Sequence, residues 1–118
     1  MAKKDPTARQ LEALRNFNIV PPSTKAACSS LLTWISNGGD RSGERVAIII
    51  ETQSKFLDKR VQHHLGSTGR VRYVMWLGPG RLPPAQQGSQ YTHPLDAMID
   101  WDDRKPSHTS IGSLTPIN

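Results

Sequence analysis

The sequence predicts an α+β protein, with helices in its first half and a small antiparallel β-barrel of four to five strands in its second. Apolar residues recur at three- and four-residue steps up to about Phe56, whereas they alternate with polar residues from Lys59 onward. Turns rich in glycine, proline and aspartate separate the alternating stretches. The 118 residues suffice for one compact domain or a small domain with a helical appendage, but not for a large α/β enzyme barrel.

Two short helices are predicted at the start of the chain. Thr7 is a suitable N-cap for a helix that continues through Phe17, with apolar residues along one side. A pair of prolines then interrupts the helical pattern, because proline has no backbone N–H and restricts the residue before it. Ser23 or Thr24 can cap a second helix that ends near Ser36, before a Gly-Gly pair.

A third helix is predicted from about Gly43 to Phe56. Its apolar positions recur at helical steps, and the flanking residues Glu44 and Lys55 favour a helix. The β-branched run at residues 47–50 leaves a buried strand as the alternative. The same run of isoleucines would need a covering surface, so self-association of the chain is a further expectation.

The second half shows the alternation expected of strands with one buried face. In the second predicted strand we expect Val71, Tyr73 and Met75 to face the core. By the same alternation, the residues expected to face outward are Arg70, Arg72 and Trp76, with Arg60, Gln62 and His64 of the first predicted strand beside them. Further strands are predicted near residues 97–101 and 108–111, with a short closing segment at 116–117. The sequence thus divides into a helical hairpin (1–40), a connecting helix (41–58) and a barrel (59–118) with a long loop at 78–93.

The helical hairpin resembles a known family. Its motifs are Leu11-x-x-Leu14, then Ile19-Val20-Pro21-Pro22-Ser23-Thr24-Lys25, then Leu31-Leu32. In this pattern of helix, extended proline-bearing loop and helix, residues 7–36 resemble the SAP-type or LEM-type hairpin. The resemblance implies a small helical unit of a kind that often binds DNA.

The barrel region resembles a second family. The glycine turn and alternating strand at Gly66–Val74 resemble the KOW core, and Met98–Asp103 followed by Ser113-Leu114-x-Pro116-Ile117 resembles the way such barrels close. Residues 59–117 are therefore similar to the KOW/Tudor barrels of the Src-homology class, although the loop at 78–93 is longer than in that pattern. The resemblance implies no catalysis. Small proteins of this build are common in phages and mobile elements, so we expect such an origin and a location in the host cytoplasm.

The charge of the chain favours a polyanionic partner. Fifteen lysines and arginines oppose ten acids, which gives a net charge of +5, and four of the acids cluster between Asp96 and Asp103. The outward residues of the first two strands would form a basic strip containing an aromatic ring, and Lys25 would sit at a helix N-terminus that attracts phosphate. The expected nucleic-acid contacts are Lys25, Arg60, Arg70, Arg72, Trp76 and Arg81. The alternative readings are an ordinary solvated sheet face and a plain N-cap.

The sequence offers no motif for catalysis, metal binding or a cofactor. It contains no glycine-rich phosphate loop, no nucleophile elbow and no paired cysteines. The adjacent His63 and His64 would point to opposite faces of a strand, and Cys28 is expected to be a buried, unreactive thiol. No apolar stretch is long enough to span a membrane, and the charged N-terminus does not have the form of a secretory signal.

We therefore expect a non-catalytic nucleic-acid-binding protein, with duplex DNA contacted through its backbone as the first hypothesis. The alternative is a protein-interaction module, such as a phage factor or adaptor that binds a host protein or nucleic-acid machine. In that alternative the proline-rich loop 78–93 would contact the protein partner.

Overall fold

A computed structural model describes residues 4–78 and 93–117, and within these ranges it contains three α-helices followed by a five-stranded antiparallel sheet. The predicted α+β class is confirmed. The helices are α1 (Ala8–Asn16), α2 (Lys25–Ser36) and α3 (Ser42–Phe56), and the strands are β1 (Arg60–His63), β2 (Thr68–Met75), β3 (Asp96–Trp101), β4 (Ser107–Ser110) and β5 (Leu114–Ile117).

The helix starts agree with the capping residues of the sequence. Thr7 and Gln10 form a reciprocal capping box at α1, in which each side chain accepts a hydrogen bond from the other residue's backbone N–H. The Thr24 hydroxyl caps α2 by accepting from the backbone N–H of Ala27. The isoleucine run belongs to α3 rather than to a strand, and Ile49 is fully buried while Ile50 stays partly exposed.

The sheet is open, with the strand order β4-β3-β2-β1-β5. Every neighbouring pair is antiparallel, and the two edge strands, β4 and β5, have four residues each. A barrel would require these edge strands to pair with each other, but they lie at opposite ends of the described sheet. The predicted closed barrel is therefore not confirmed, and the strands form an open sheet instead.

The helices pack on one face of the sheet and form the main core with it. Leu31 and Ile49 from the helical layer share one buried cluster with Val71 and Ile99 from the central strands. Each of these four side chains is completely removed from solvent. Burial of their apolar surface supplies the main driving force that holds the helical layer against the sheet.

A β-bulge in β2 changes which residues face this core. Val71 pairs with Ile99, and the register then shifts so that Tyr73 pairs with Met98 and Val74 with Ala97. Beyond the bulge, Val74 and Trp76 pack against the main core, whereas Tyr73 and Met75 join a separate cluster with Met98 and Ala27.

The predicted orientation of these residues is consequently wrong beyond Arg72. Strict alternation placed Tyr73 and Met75 inward and Trp76 outward. The extra residue of the bulge reverses that assignment, because side chains in a strand alternate with a period of two.

A buried glutamine joins the segment between α1 and α2 to α3. The Gln53 side chain is 7% exposed, accepts a hydrogen bond from the backbone N–H of Val20 at 2.9 Å and donates one to the Val20 carbonyl at 2.6 Å. Both backbone groups of Val20 are thereby satisfied in a stretch that has no regular secondary structure. The sequence pattern did not predict this role.

We expect Gly69→Ala to lower the free energy of unfolding by about 1–3 kcal/mol, because the strands leave no room for a side chain. A Cβ atom at Gly69 would lie 2.6 Å from the Asp100 carbonyl oxygen and 2.7 Å from Cγ2 of Ile99. Urea denaturation of both proteins measures the difference.

The matched control is Gly43→Ala, which adds the same methyl group in α3 where nothing lies within 4 Å. We expect this variant to be as stable as the wild type, or more stable by up to about 1 kcal/mol. Equal stability of Gly69→Ala and Gly43→Ala would contradict the close packing of β2 against β3.

Candidate functional site

Three arginines lie together on the sheet face that is turned away from the main core. Arg60 of β1 is directly opposite Arg70 of β2, and Arg72 follows on the same strand. The paired strand β3 contributes Asp100 to this face, and Asp102 follows immediately after the strand. We call these five residues the charged cluster.

Two of the three arginines are neutralised by carboxylates of the chain itself. Arg60 forms a bidentate pair with Asp102, with nitrogen–oxygen distances of 2.7 and 2.6 Å. The Nε of Arg72 lies 2.7 Å from a carboxylate oxygen of Asp100. The predicted strip is therefore less cationic than its arginines suggest, because the acids that the sequence placed in a separate cluster lie beside them.

The hydrogen bonds in this cluster shift the pKa values of Asp102, Arg60 and Arg72. The Arg60 guanidinium and then the Thr68 hydroxyl, at 2.6 Å, hold the pKa of Asp102 well below its ordinary value of 3.8. The hydrogen bond to Asp102 raises the pKa of Arg60, and the hydrogen bond to Asp100 raises that of Arg72. The Arg60–Asp102 pair is thus fully charged at neutral pH.

Arg70 has a different environment from its two neighbours. Its guanidinium donates to the backbone carbonyl of Asp58 at 3.1 Å, and in residues 4–78 and 93–117 no carboxylate pairs with it. The side chain is exposed. Arg70 is therefore the arginine of the charged cluster whose full charge is available to another molecule.

A groove of about 570 Å³ lies on the same side of the sheet, between β2, β3 and the first turn of α2. Its apolar walls are Ala26, Ala27, Tyr73, Met75 and Met98, and its polar lining is Lys4, Thr24, Lys25 and Ser29. Met98 and Asp100 are two residues apart in β3 and therefore share one face of the strand. The groove thus adjoins the charged cluster.

Lys25 lies at the start of α2, as predicted, but the backbone there is largely occupied. The Lys25 N–H donates to the Lys4 carbonyl at 3.0 Å, and the Ala27 and Cys28 N–H groups both donate to Thr24. These donors are consequently not available to a phosphate. The exposed Lys25 ammonium, with that of Lys4, is what this end of the groove offers to an anion.

The remaining predicted contacts do not join this surface. Trp76 packs against the main core, and its backbone N–H donates to the Ser30 hydroxyl at 3.2 Å. Arg81 and nearly all of the loop 78–93 lie outside the described residues. The residues that sequence reasoning missed are the acidic partners Asp100 and Asp102 and the groove residues Tyr73, Met75 and Met98. The alternation of Met98 and Asp100 along β3 was visible in the sequence, but the register of β3 with β2 was not.

The described residues contain no group of three or more histidine, cysteine or acidic side chains that could hold a metal ion. Burial, and then the charges of His64 and Arg104, lowers the pKa of His63, while burial raises that of Cys28. None of the described helices is both long enough and apolar enough to cross a membrane.

Comparison of the chain with protein-family models, with curated proteins and with solved structures found no match. The resemblances to SAP/LEM hairpins and KOW/Tudor barrels stay predictions, as does the division into three segments.

The pairing of Asp102 predicts a specific pH dependence of stability. A carboxyl group whose pKa is depressed on folding stabilises the protein above its unfolded pKa, and this contribution is lost as the pH falls through the folded value. We expect Asp102→Asn to unfold more easily than the wild type at pH 6, with a difference that shrinks as the pH drops below about 4.

Urea denaturation across this pH range measures the effect, with Asp103→Asn as the control. Asp103 is the next residue, and it has no ion pair or hydrogen bond in the part of the chain described here. A difference between wild type and Asp102→Asn that stays constant with pH would contradict the stabilising role of the charged carboxylate.

Proposed function

We propose that this protein is a non-catalytic nucleic-acid-binding module that contacts the phosphate backbone through the outer face of its sheet. The observation that carries the proposal is Arg70, an exposed guanidinium that no carboxylate of the described residues neutralises, placed between Arg60 and Arg72. The net charge of +5 supports it, because a cationic protein gains affinity by releasing the counterions that phosphates condense.

The ion pairs of the cluster are compatible with this function. Both members of the Arg72–Asp100 pair are 44% exposed, and such surface pairs contribute little to stability. A phosphate can therefore replace or share the carboxylate without a large cost. Before a phosphate binds, Asp100 holds the Arg72 guanidinium in a fixed position on the sheet.

The lysines near the groove extend the same surface. Lys4 and Lys25 lie at the α2 side of the groove, and Arg72 precedes the groove residue Tyr73 in the chain. A backbone that crosses the sheet along this direction meets cations before and after the apolar groove. Contacts of this type fix the position of nucleic acid without reading its sequence, so they serve duplex DNA as well as a single strand.

We expect Arg70→Ala to weaken binding to every sequence alike and to reduce the slope of log affinity against log salt by about 1. Arg41→Ala is the control, because it removes the same charge from an exposed arginine that pairs with Glu44 in the helical layer. Fluorescence anisotropy with labelled DNA over a salt series measures both. A flat salt response of the wild type would instead favour the protein-interaction alternative.

We also expect Asp100→Asn to strengthen binding several-fold, because it releases Arg72 from its carboxylate. Glu44→Gln removes an equal negative charge from the Arg41 pair and should leave the affinity nearly unchanged. The same titrations give the result. If Asp100→Asn and Glu44→Gln have equal effects, only net charge matters and the sheet face is not the contact surface.

A further inference from the structure

The groove beside the charged cluster has the dimensions of a site for a small group rather than of a packing defect. Its volume of about 570 Å³ lies within the range of about 300–1,000 Å³ that is typical of ligand pockets. Two methionines, two alanines and a tyrosine supply its apolar walls. Such walls favour an apolar or aromatic group over water.

The groove also contains a polar group for which the described residues supply no hydrogen-bond partner. Tyr73 is 4% exposed, and none of the hydrogen bonds between described residues involves its hydroxyl group. The hydroxyl oxygen is not among the fully buried atoms without a partner, and Tyr73 lines the groove. An occupant with a polar edge can therefore form a hydrogen bond with it.

Cations line this apolar space and lie next to it. Lys4 and Lys25 are part of its lining. Arg72 is outside the lining, but it precedes the groove residue Tyr73, and the bulge places both on the same face of the sheet. An occupant that matches the groove therefore has a flat or apolar body with a polar edge, and anionic groups that can reach these cations.

We infer that the groove binds one unpaired nucleobase of a single strand, with its flanking phosphates on Lys25 and Arg72. This inference rests on the proposed function and identifies which form of nucleic acid the surface prefers. An unpaired base offers a ring for apolar contact and a hydrogen-bonding edge for Tyr73. A base inside an intact duplex is stacked on its neighbours and cannot enter the groove.

The test compares three labelled probes by fluorescence anisotropy: a thymidine strand of about 12 nucleotides, an abasic strand of the same length and a duplex. The abasic strand carries the same phosphates without the bases. We expect the wild type to bind the thymidine strand about tenfold more tightly than the abasic strand, since contact with a base contributes affinity beyond the phosphates.

The variant that tests the groove is Ala26→Leu, which fills the space from an exposed position at the start of α2. It should lower affinity for the thymidine strand to that of the abasic strand and leave abasic and duplex binding unchanged. Ala47→Leu adds the same atoms at an exposed position of α3 outside the groove and should bind all three probes as the wild type does.

Tyr73→Phe removes only the hydroxyl group and should reduce thymidine binding by a few-fold without changing abasic binding. Equal wild-type affinity for thymidine and abasic strands, or unchanged thymidine binding by Ala26→Leu, would overturn the inference. If the inference fails in this way but binding still depends on salt and on Arg70, the proposed function is still supported. Failure of all three probes to bind would overturn both.

Discussion

The bulge in β2 is the constraint on which the arrangement of this protein depends. One extra residue between Val71 and Tyr73 lets the first part of the strand bury Val71 and the second part bury Val74 against the same helices. Without it, a regular strand would carry Tyr73 and Met75 into the core and expose Trp76. The bulge thus completes the core and creates the groove at the same place.

The same irregularity links the helical layer to the outer face of the sheet. Ala27 in the first turn of α2 contacts the cluster of Tyr73 and Met98, so the start of that helix reaches the side of the sheet opposite the main core. The Ser30 hydroxyl of the same helix accepts a hydrogen bond from the backbone N–H of Trp76. Helix α2 therefore contributes both to the core and to a wall of the groove, which explains how Lys25 comes to line the same groove as Tyr73 and Met98.

The three arginines of the charged cluster differ in how firmly they are held and in how much of their charge is neutralised. Carboxylates from β3 and the turn after it hold Arg60 and Arg72 in place, whereas the partner of Arg70 within the described ranges is a backbone carbonyl. Fixed guanidinium groups lose less conformational freedom when they meet a phosphate than mobile ones do. The same carboxylates reduce the net charge of the surface. The cluster therefore combines ordered guanidinium donors with a moderate electrostatic attraction for phosphate.

Local patterns in the sequence were sufficient for most of the secondary structure. Thr7, and the adjacent Ser23 and Thr24, located the helix starts because an N-cap depends on neighbouring residues alone. The period of the apolar residues and the helix-forming flanks favoured a helix for α3, with a strand as the alternative, and the alternating pattern located β1 and β2.

What the sequence could not supply depends on contacts between distant segments. The bulge needs knowledge of the pairing of β2 with β3, and the Arg60–Asp102 pair joins residues that are 42 positions apart. Closure of the sheet likewise depends on the relative position of β4 and β5, which no local pattern specifies. For these reasons the three arginines were predicted correctly as neighbours, but their acidic partners and the groove were not recognised.

The open sheet leaves two edges, and the composition of these edge strands limits what can attach to them. Pro116 in β5 has no backbone N–H, so another strand that approached this edge would find a donor missing. At the opposite edge, β4 is only four residues long and consists of Ser107, His108, Thr109 and Ser110. Short polar strands and prolines are the devices by which proteins discourage unintended strand addition, so this sheet can stay open without promoting aggregation.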